Sequence, residues 1–108
     1  MRLIYPHELP VVRFLFEASG RQENPAQLYV KVMDDGGMGS LKFTDGGEAA
    51  RYAVTVAACE FKDADGVLVS AVLNLDESDA PFEVDIWKMD FTPLCSWPEF
   101  TEIKAAET

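Results

Sequence analysis

The chain is short of the residues that most often do chemistry. It has one histidine, His7, and two cysteines, Cys59 and Cys95, with no Cys-x-x-Cys spacing to suggest zinc or dithiol redox work. A catalytic histidine usually has a serine, cysteine or carboxylate held near it in a glycine-marked turn, and nothing local to His7 provides that arrangement, so a capping or surface role is expected there. The sequence also lacks an apolar run long enough to span a bilayer. Its start, Met1-Arg2-Leu3-Ile4-Tyr5-Pro6-His7-Glu8, turns polar too soon for a signal peptide. The expectation is a cytoplasmic protein with both thiols reduced. Positive charge is scarce: nine Lys and Arg stand against nineteen Asp and Glu, for a formal net charge of −10. The acids crowd the C-terminal half from Glu60 onward, where Lys62, Lys88 and Lys104 oppose them. Such a field repels phosphate backbones and anionic membranes, which argues against nucleic acid and lipid and in favour of a basic protein partner.

What is present is a foldable chain. Its 108 residues, 48% hydrophobic and 26% charged, suit one domain over residues 1–108 with a core that needs no staple. The ends, 1–4 and 102–108, are expected to fray. Residues Leu9 to Ala18 carry apolar side chains around most of a helical circumference, with Pro10 tolerable in the first turn and Gly20 placed to end the helix in a left-handed turn. Such a helix should be clamped between a sheet face and a further element.

The stretch from Arg51 to Asp90 reads as three antiparallel strands, Tyr52 to Phe61, Val67 to Leu75 and Phe82 to Phe91. With the shorter strands Leu28 to Met33 and Leu41 to Phe43, the expected fold is α+β: one N-terminal helix packed on a mainly antiparallel sheet of about five strands, arranged as a meander. In the middle strand of the three, Val67, Val69, Ala71, Leu73 and Leu75 share a face. In the last, Phe82, Val84 and Ile86 point one way, while Glu83, Asp85, Trp87, Met89 and Phe91 point the other. A solvent face does not normally need a tryptophan, and a core does not normally want two carboxylates. Two readings follow. Either Glu83, Asp85 and Trp87 with the neighbouring Asp90 form a partner-binding face, or Trp87 packs under the helix or the Pro-rich tail and the acids pair with Arg51 or Lys62.

The loops offer other candidates. Asp34-Asp35-Gly36-Gly37-Met38-Gly39-Ser40 reads as a hairpin loop whose glycines supply positive φ. The alternative is a ligand-binding anion nest built from Asp35, Gly36, Gly37, Gly39 and Ser40, serving a small ligand binder or enzyme. It lacks the Lys-Ser/Thr ending of a phosphate loop, and Asp34 and Asp35 would repel an anion. Thr44-Asp45-Gly46-Gly47-Glu48 reads as a further turn. Asp63-Ala64-Asp65-Gly66 looks like part of a calcium loop, but that alignment places Phe61 and Val72 where carboxylates are required. A tight turn accounts for it, and Asp76, Glu77 and Asp79 read as solvated turn acids. No residue set calls for a metal or a cofactor. After Phe91, Pro93 and Pro98 exclude a regular central strand, so the tail should cover one side of the core with Leu94 and Trp97.

Asp35-Gly36-Gly37-Met38-Gly39-Ser40-Leu41, Asp63-Ala64-Asp65-Gly66-Val67 and Phe82-Glu83-Val84-Asp85-Ile86-Trp87-Lys88-Met89-Asp90-Phe91-Thr92-Pro93-Leu94 together resemble the signature of a family of small bacterial proteins known only as a domain of unknown function. The resemblance runs from the helix to Leu94 and implies a compact α+β domain without bringing a reaction with it. In size, acidity and its aromatic–acidic strand the chain is also similar to immunity proteins that neutralise interbacterial toxins. On that likeness the expected partner is a basic protein such as a toxin.

Overall fold

The computed structural model describes residues 1–44 and 49–106. Among these residues seven strands form one sheet: β1 (Arg2–Leu3), β2 (Tyr29–Val32), β3 (Leu41–Phe43), β4 (Tyr52–Lys62), β5 (Leu68–Asp76), β6 (Pro81–Lys88) and β7 (Lys104–Ala105), with the helix α1 at Leu9–Ala18. Their order is β1-β2-β3-β6-β5-β4-β7, and every neighbouring pair is antiparallel. The protein is therefore α+β with an antiparallel sheet. The meander is confined to β4–β5–β6; the β2–β3 hairpin adds to the edge of β6 left free by that meander. The turn expected at Thr44 to Glu48 falls on residues 45–48, outside the described residues.

One face of the sheet carries the core. Val69, Ala71, Leu73 and Leu75 of β5 align with Cys59 and Phe61 of β4 and with Val84 and Ile86 of β6, as period-two alternation requires. α1 lies across β4 and β5 and buries Val11, Val12, Leu15 and Phe16 against them. Its outer side is covered too: the Phe14 ring stands 5.6 Å from Phe100, in the 3-10 turn Phe100–Glu102. The expected clamp thus forms, and its second jaw is the C-terminal turn. Gly20, at φ +74°, ends the helix, with the Gly20 and Arg21 amides donating back to Glu17 and Phe16. No described helix is long and apolar enough to cross a membrane.

Two differences from expectation have clear causes. Within the described part of the two ends, β1 and β7 pair with β2 and β4. Each is held by a neighbouring buried isoleucine, Ile4 or Ile103. Arg2 is fixed further by a two-pronged bond to the buried Glu8 carboxylate at 2.8 and 2.9 Å. These two short strands bring the expected five to seven. Second, β6 stops at Lys88 instead of running to Phe91. Lys88 continues the core-facing row of Val84 and Ile86, and its ammonium binds two aspartates there, after which the chain turns with Phe91 at φ +60°.

Candidate functional site

On the sheet face opposite α1, cross-strand register builds three rows. Lys42, Glu83, Asn74 and Thr55 form the first, Asp85, Val72 and Ala58 the second, and Trp87, Ser70, Glu60 and Lys104 the third. The first row is a hydrogen-bonded relay. The Thr55 hydroxyl donates to Asn74 Oδ1 at 2.6 Å and Asn74 Nδ2 donates to Glu83 Oε1 at 2.9 Å. The Tyr52 hydroxyl lies 3.3 Å from Thr55 Oγ1. Asp85 accepts a 3.3 Å bond from the Ser40 hydroxyl. Trp87 makes no such bond among the described residues. Its partly exposed ring borders a shallow concavity of about 350 Å³, lined also by Thr55, Ala58, Ser70, Val72 and Ala106.

The geometry thus brings Glu83, Asp85 and Trp87 onto one face, but not Asp90, which sits in the turn past β6 and accepts bonds from the Thr92 amide and hydroxyl at 3.1 and 2.7 Å. Neither Arg51 nor Lys62 forms an ion pair with Glu83 or Asp85 among the described residues. The tryptophan that the tail packs inward is Trp97, against Gly39 and 6.2 Å from the His7 ring. Lys31, Lys42 and Lys104 flank the acids on the same face, so the local charge is mixed and the negative field belongs to the chain as a whole.

In the glycine loop, Asp35 does what an external anion would do in a nest. Its carboxylate accepts the amides of Met38 and Ser40 at 3.1 and 2.9 Å. Gly36, Gly37 and Gly39 all have positive φ, and Gly37 and Gly39 approach Pro93 and Trp97 so closely that a Cβ would crowd them. The buried Ser40 hydroxyl receives the Ile86 amide at 2.8 Å, clipping the loop to β6. In the other acidic loop, Asp76 is likewise spent on its own turn, accepting from the Ser78 hydroxyl and the Ser78 and Ala80 amides.

Sequence reasoning missed a buried ionic cluster. Lys88, 1% exposed, directs its ammonium to Asp63 at 2.9 Å, to Asp65 at 2.5 Å and to the Pro93 carbonyl at 3.3 Å, with Cys95 Sγ at 3.6 Å. The fully buried Asp63 carboxylate also accepts the amides of Ala64, Cys95 and Ser96 at 2.7, 2.8 and 3.1 Å. Burial would push the Asp63 carboxyl up, but the Cys95 amide, the Lys88 ammonium and the Ala64 and Ser96 amides together hold it well below the usual carboxylate range. Bonds to Asp63 and then Asp65 hold Lys88 above the usual lysine range. Asp63, Asp65 and Cys95 are close enough to share a metal ion, but the ammonium already stands among them as their cation. The missed signal was alternation itself: a lysine on the Val84–Ile86 face needs a buried carboxylate.

No curated protein and no solved structure matches the chain significantly. The family described as "Domain of unknown function (DUF6984)" matches residues 1–98, nearly the whole described fold including the Trp87 face and the Lys88 cluster, and the chain belongs to that family.

Proposed function

We propose that this protein is an interaction module that docks a basic partner protein on the open face of its sheet, with Trp87 as the apolar centre of the contact. The observation that carries this reading is the placement of Trp87. A large aromatic stands partly exposed beside a concavity, on the face away from the helix and two residues from Asp85. Partly exposed aromatics of this kind are the usual anchors of protein interfaces. The net charge of −10 supplies the preference for a basic partner by steering its approach. With lysines bracketing Glu83 and Asp85, those acids set register, while Trp87 supplies affinity. An immunity-type module that neutralises a basic toxin is the most specific form of this proposal.

The test is paired capture from a lysate of the source cells with the parent and with Trp87→Ala, alongside thermal melts of both. The expected outcome is a basic protein that the parent retains and the variant loses, at a cost of about 2 kcal/mol or more in binding with the melt little changed. A sharply lowered melt with the captured set unchanged makes Trp87 a packing residue and refutes the proposal.

A further inference from the structure

The turn after β6 holds the most exposed aromatic ring among the described residues. Phe91 is 73% exposed and Met89 is 47% exposed. Phe91 also has φ +60°, a left-handed conformation that a bulky side chain adopts only against a steric penalty. A residue that is both strained and solvent-exposed gains little from its own ring in the folded state. Glycine would relieve the strain, and a polar residue would remove apolar surface from water.

The tip is nevertheless firmly built. The Phe91 amide donates to the Lys88 carbonyl at 2.9 Å, and Asp90 caps Thr92 through both amide and hydroxyl. Lys88 begins the segment through its backbone, and its buried ammonium holds the Pro93 carbonyl that ends it. Residues 89–92 are thus a loop closed at its base by a single side chain, itself locked by Asp63 and Asp65. Leu94 is bonded to the Gly37 carbonyl, and the amides of Cys95 and Ser96 to Asp63, so the chain leaving the tip is fixed as well. Preorganisation of this kind lowers the entropy lost when an exposed group is captured.

We infer that the 89–92 tip is an anchor, and that Phe91 with Met89 inserts into an apolar pocket of a partner protein whose rim is basic. The rim chemistry follows from the neighbours. Asp90 lies within the tip, and Asp65, its side chain 39% exposed, stands at the tip's base, where the single ammonium of Lys88 is shared between it and Asp63 and leaves the end of the strand with a surplus of negative charge. Met89 donates its amide to Leu68 and so extends the β6–β5 ladder one residue past Lys88, which joins the tip to the end of the open face. The inference rests on the reading of that face as an interaction surface, and it moves the centre of the contact toward the end of β6.

The test uses the full chain with Phe91→Gly, since glycine accepts the left-handed backbone and removes the ring. The probes are a synthetic peptide of alternating Leu and Lys and a peptide of equal charge made of Lys and Ser, with binding followed by calorimetry and stability by thermal melting. The expected result is a variant that melts at or above the parent and binds the Leu/Lys peptide about tenfold more weakly or worse, while both proteins bind the Lys/Ser peptide equally weakly. A variant that melts below the parent shows that the ring is there for packing and overturns the inference. So does a variant that binds the Leu/Lys peptide like the parent, or a parent that does not distinguish the two peptides. If any of these occurs while Trp87→Ala still loses its basic partner, the tip fails as an anchor and the interaction module stands; if Trp87→Ala also keeps its partner, both fail.

Discussion

Replacing Asp63 with asparagine tests the buried cluster with almost no change in volume. The carboxylate accepts four bonds: Oδ2 takes Lys88 at 2.9 Å and Cys95 at 2.8 Å, and Oδ1 takes Ala64 at 2.7 Å and Ser96 at 3.1 Å. An amide has one oxygen, so whichever way the new side chain turns, its own N–H groups face two donors that no longer have an acceptor. The Lys88 ammonium also loses its fully buried counter-ion. Breaking a buried pair by removing one partner costs about 3 to 5 kcal/mol, and because Asp65 still holds the ammonium the lower end applies, about 3 kcal/mol. For a chain of this size that is a fall in Tm of about 12 °C or more. Urea unfolding of both proteins across pH measures it. The native Asp63 carboxyl lies well below its unfolded value of about 4, so its stabilisation is complete above that pH and fades as the pH drops below it toward the folded value. The gap between parent and variant should therefore be constant near neutrality and narrow below about pH 4. A gap under about 1 kcal/mol at neutral pH, or one that stays the same at pH 3, refutes the account of the cluster.

Alanine scanning of the glycine loop should give a graded series by urea unfolding. Gly36→Ala, with open space around a Cβ, pays backbone strain of about 1 kcal/mol. Gly37→Ala loses slightly more for a Cβ 3.3 Å from Pro93, and Gly39→Ala loses the most, at φ +104° with its Cβ 3.0 Å from Trp97. Equal losses at all three would mean that the tail does not pack on the loop. The two thiols should separate under alkylation at pH 8 followed by peptide mass spectrometry. Cys95 is exposed and is modified in the native protein, slowly because desolvation followed by the Asp63 and Asp65 charges raises its thiol. Cys59, buried and pushed up to about 12 chiefly by desolvation, is modified only after unfolding.

The parts of the fold legible in the sequence are those with a period. α1 has the bounds that its apolar circumference implies, and the β4–β5–β6 meander follows from alternation and turn residues. The faces of β6 were legible for the same reason, so Glu83, Asp85 and Trp87 do share a side. What failed to show had no period. A two-residue strand such as β1 or β7 leaves no pattern, and its position depends on anchors such as Glu8, six residues along from Arg2. The end of β6 was hidden because Met89 and Phe91 continue the alternation of hydrophobic character, while the event that stops the strand is a pairing between Lys88 and a loop more than twenty residues earlier. Asp63 read as a turn acid because its exposure is decided by the tail that folds over it, and that is a tertiary fact.

The cluster also explains why two neighbours on one strand divide the work. Trp87 and Lys88 are consecutive, so alternation sends one to the open face and the other into the core. A buried ion pair is a weak source of net stability, because well-packed apolar residues of similar volume often do as well or better. Asp63 is an exception, since an apolar replacement would orphan the buried amides of Ala64, Cys95 and Ser96. Removing Lys88 alone would leave Asp63 its three backbone donors but strip a fully buried carboxylate of its counter-ion, so the lysine also offsets the cost of that charge. Nor could an apolar side chain at position 88 supply direction. An ammonium grips Asp65 and the Pro93 carbonyl at the same time, and those two bonds fix the base of the turn that displays Met89 and Phe91. The lysine therefore sets the geometry of the surface next to Trp87 as well as neutralising Asp63, and the strand that carries the exposed tryptophan carries the means of orienting its neighbours.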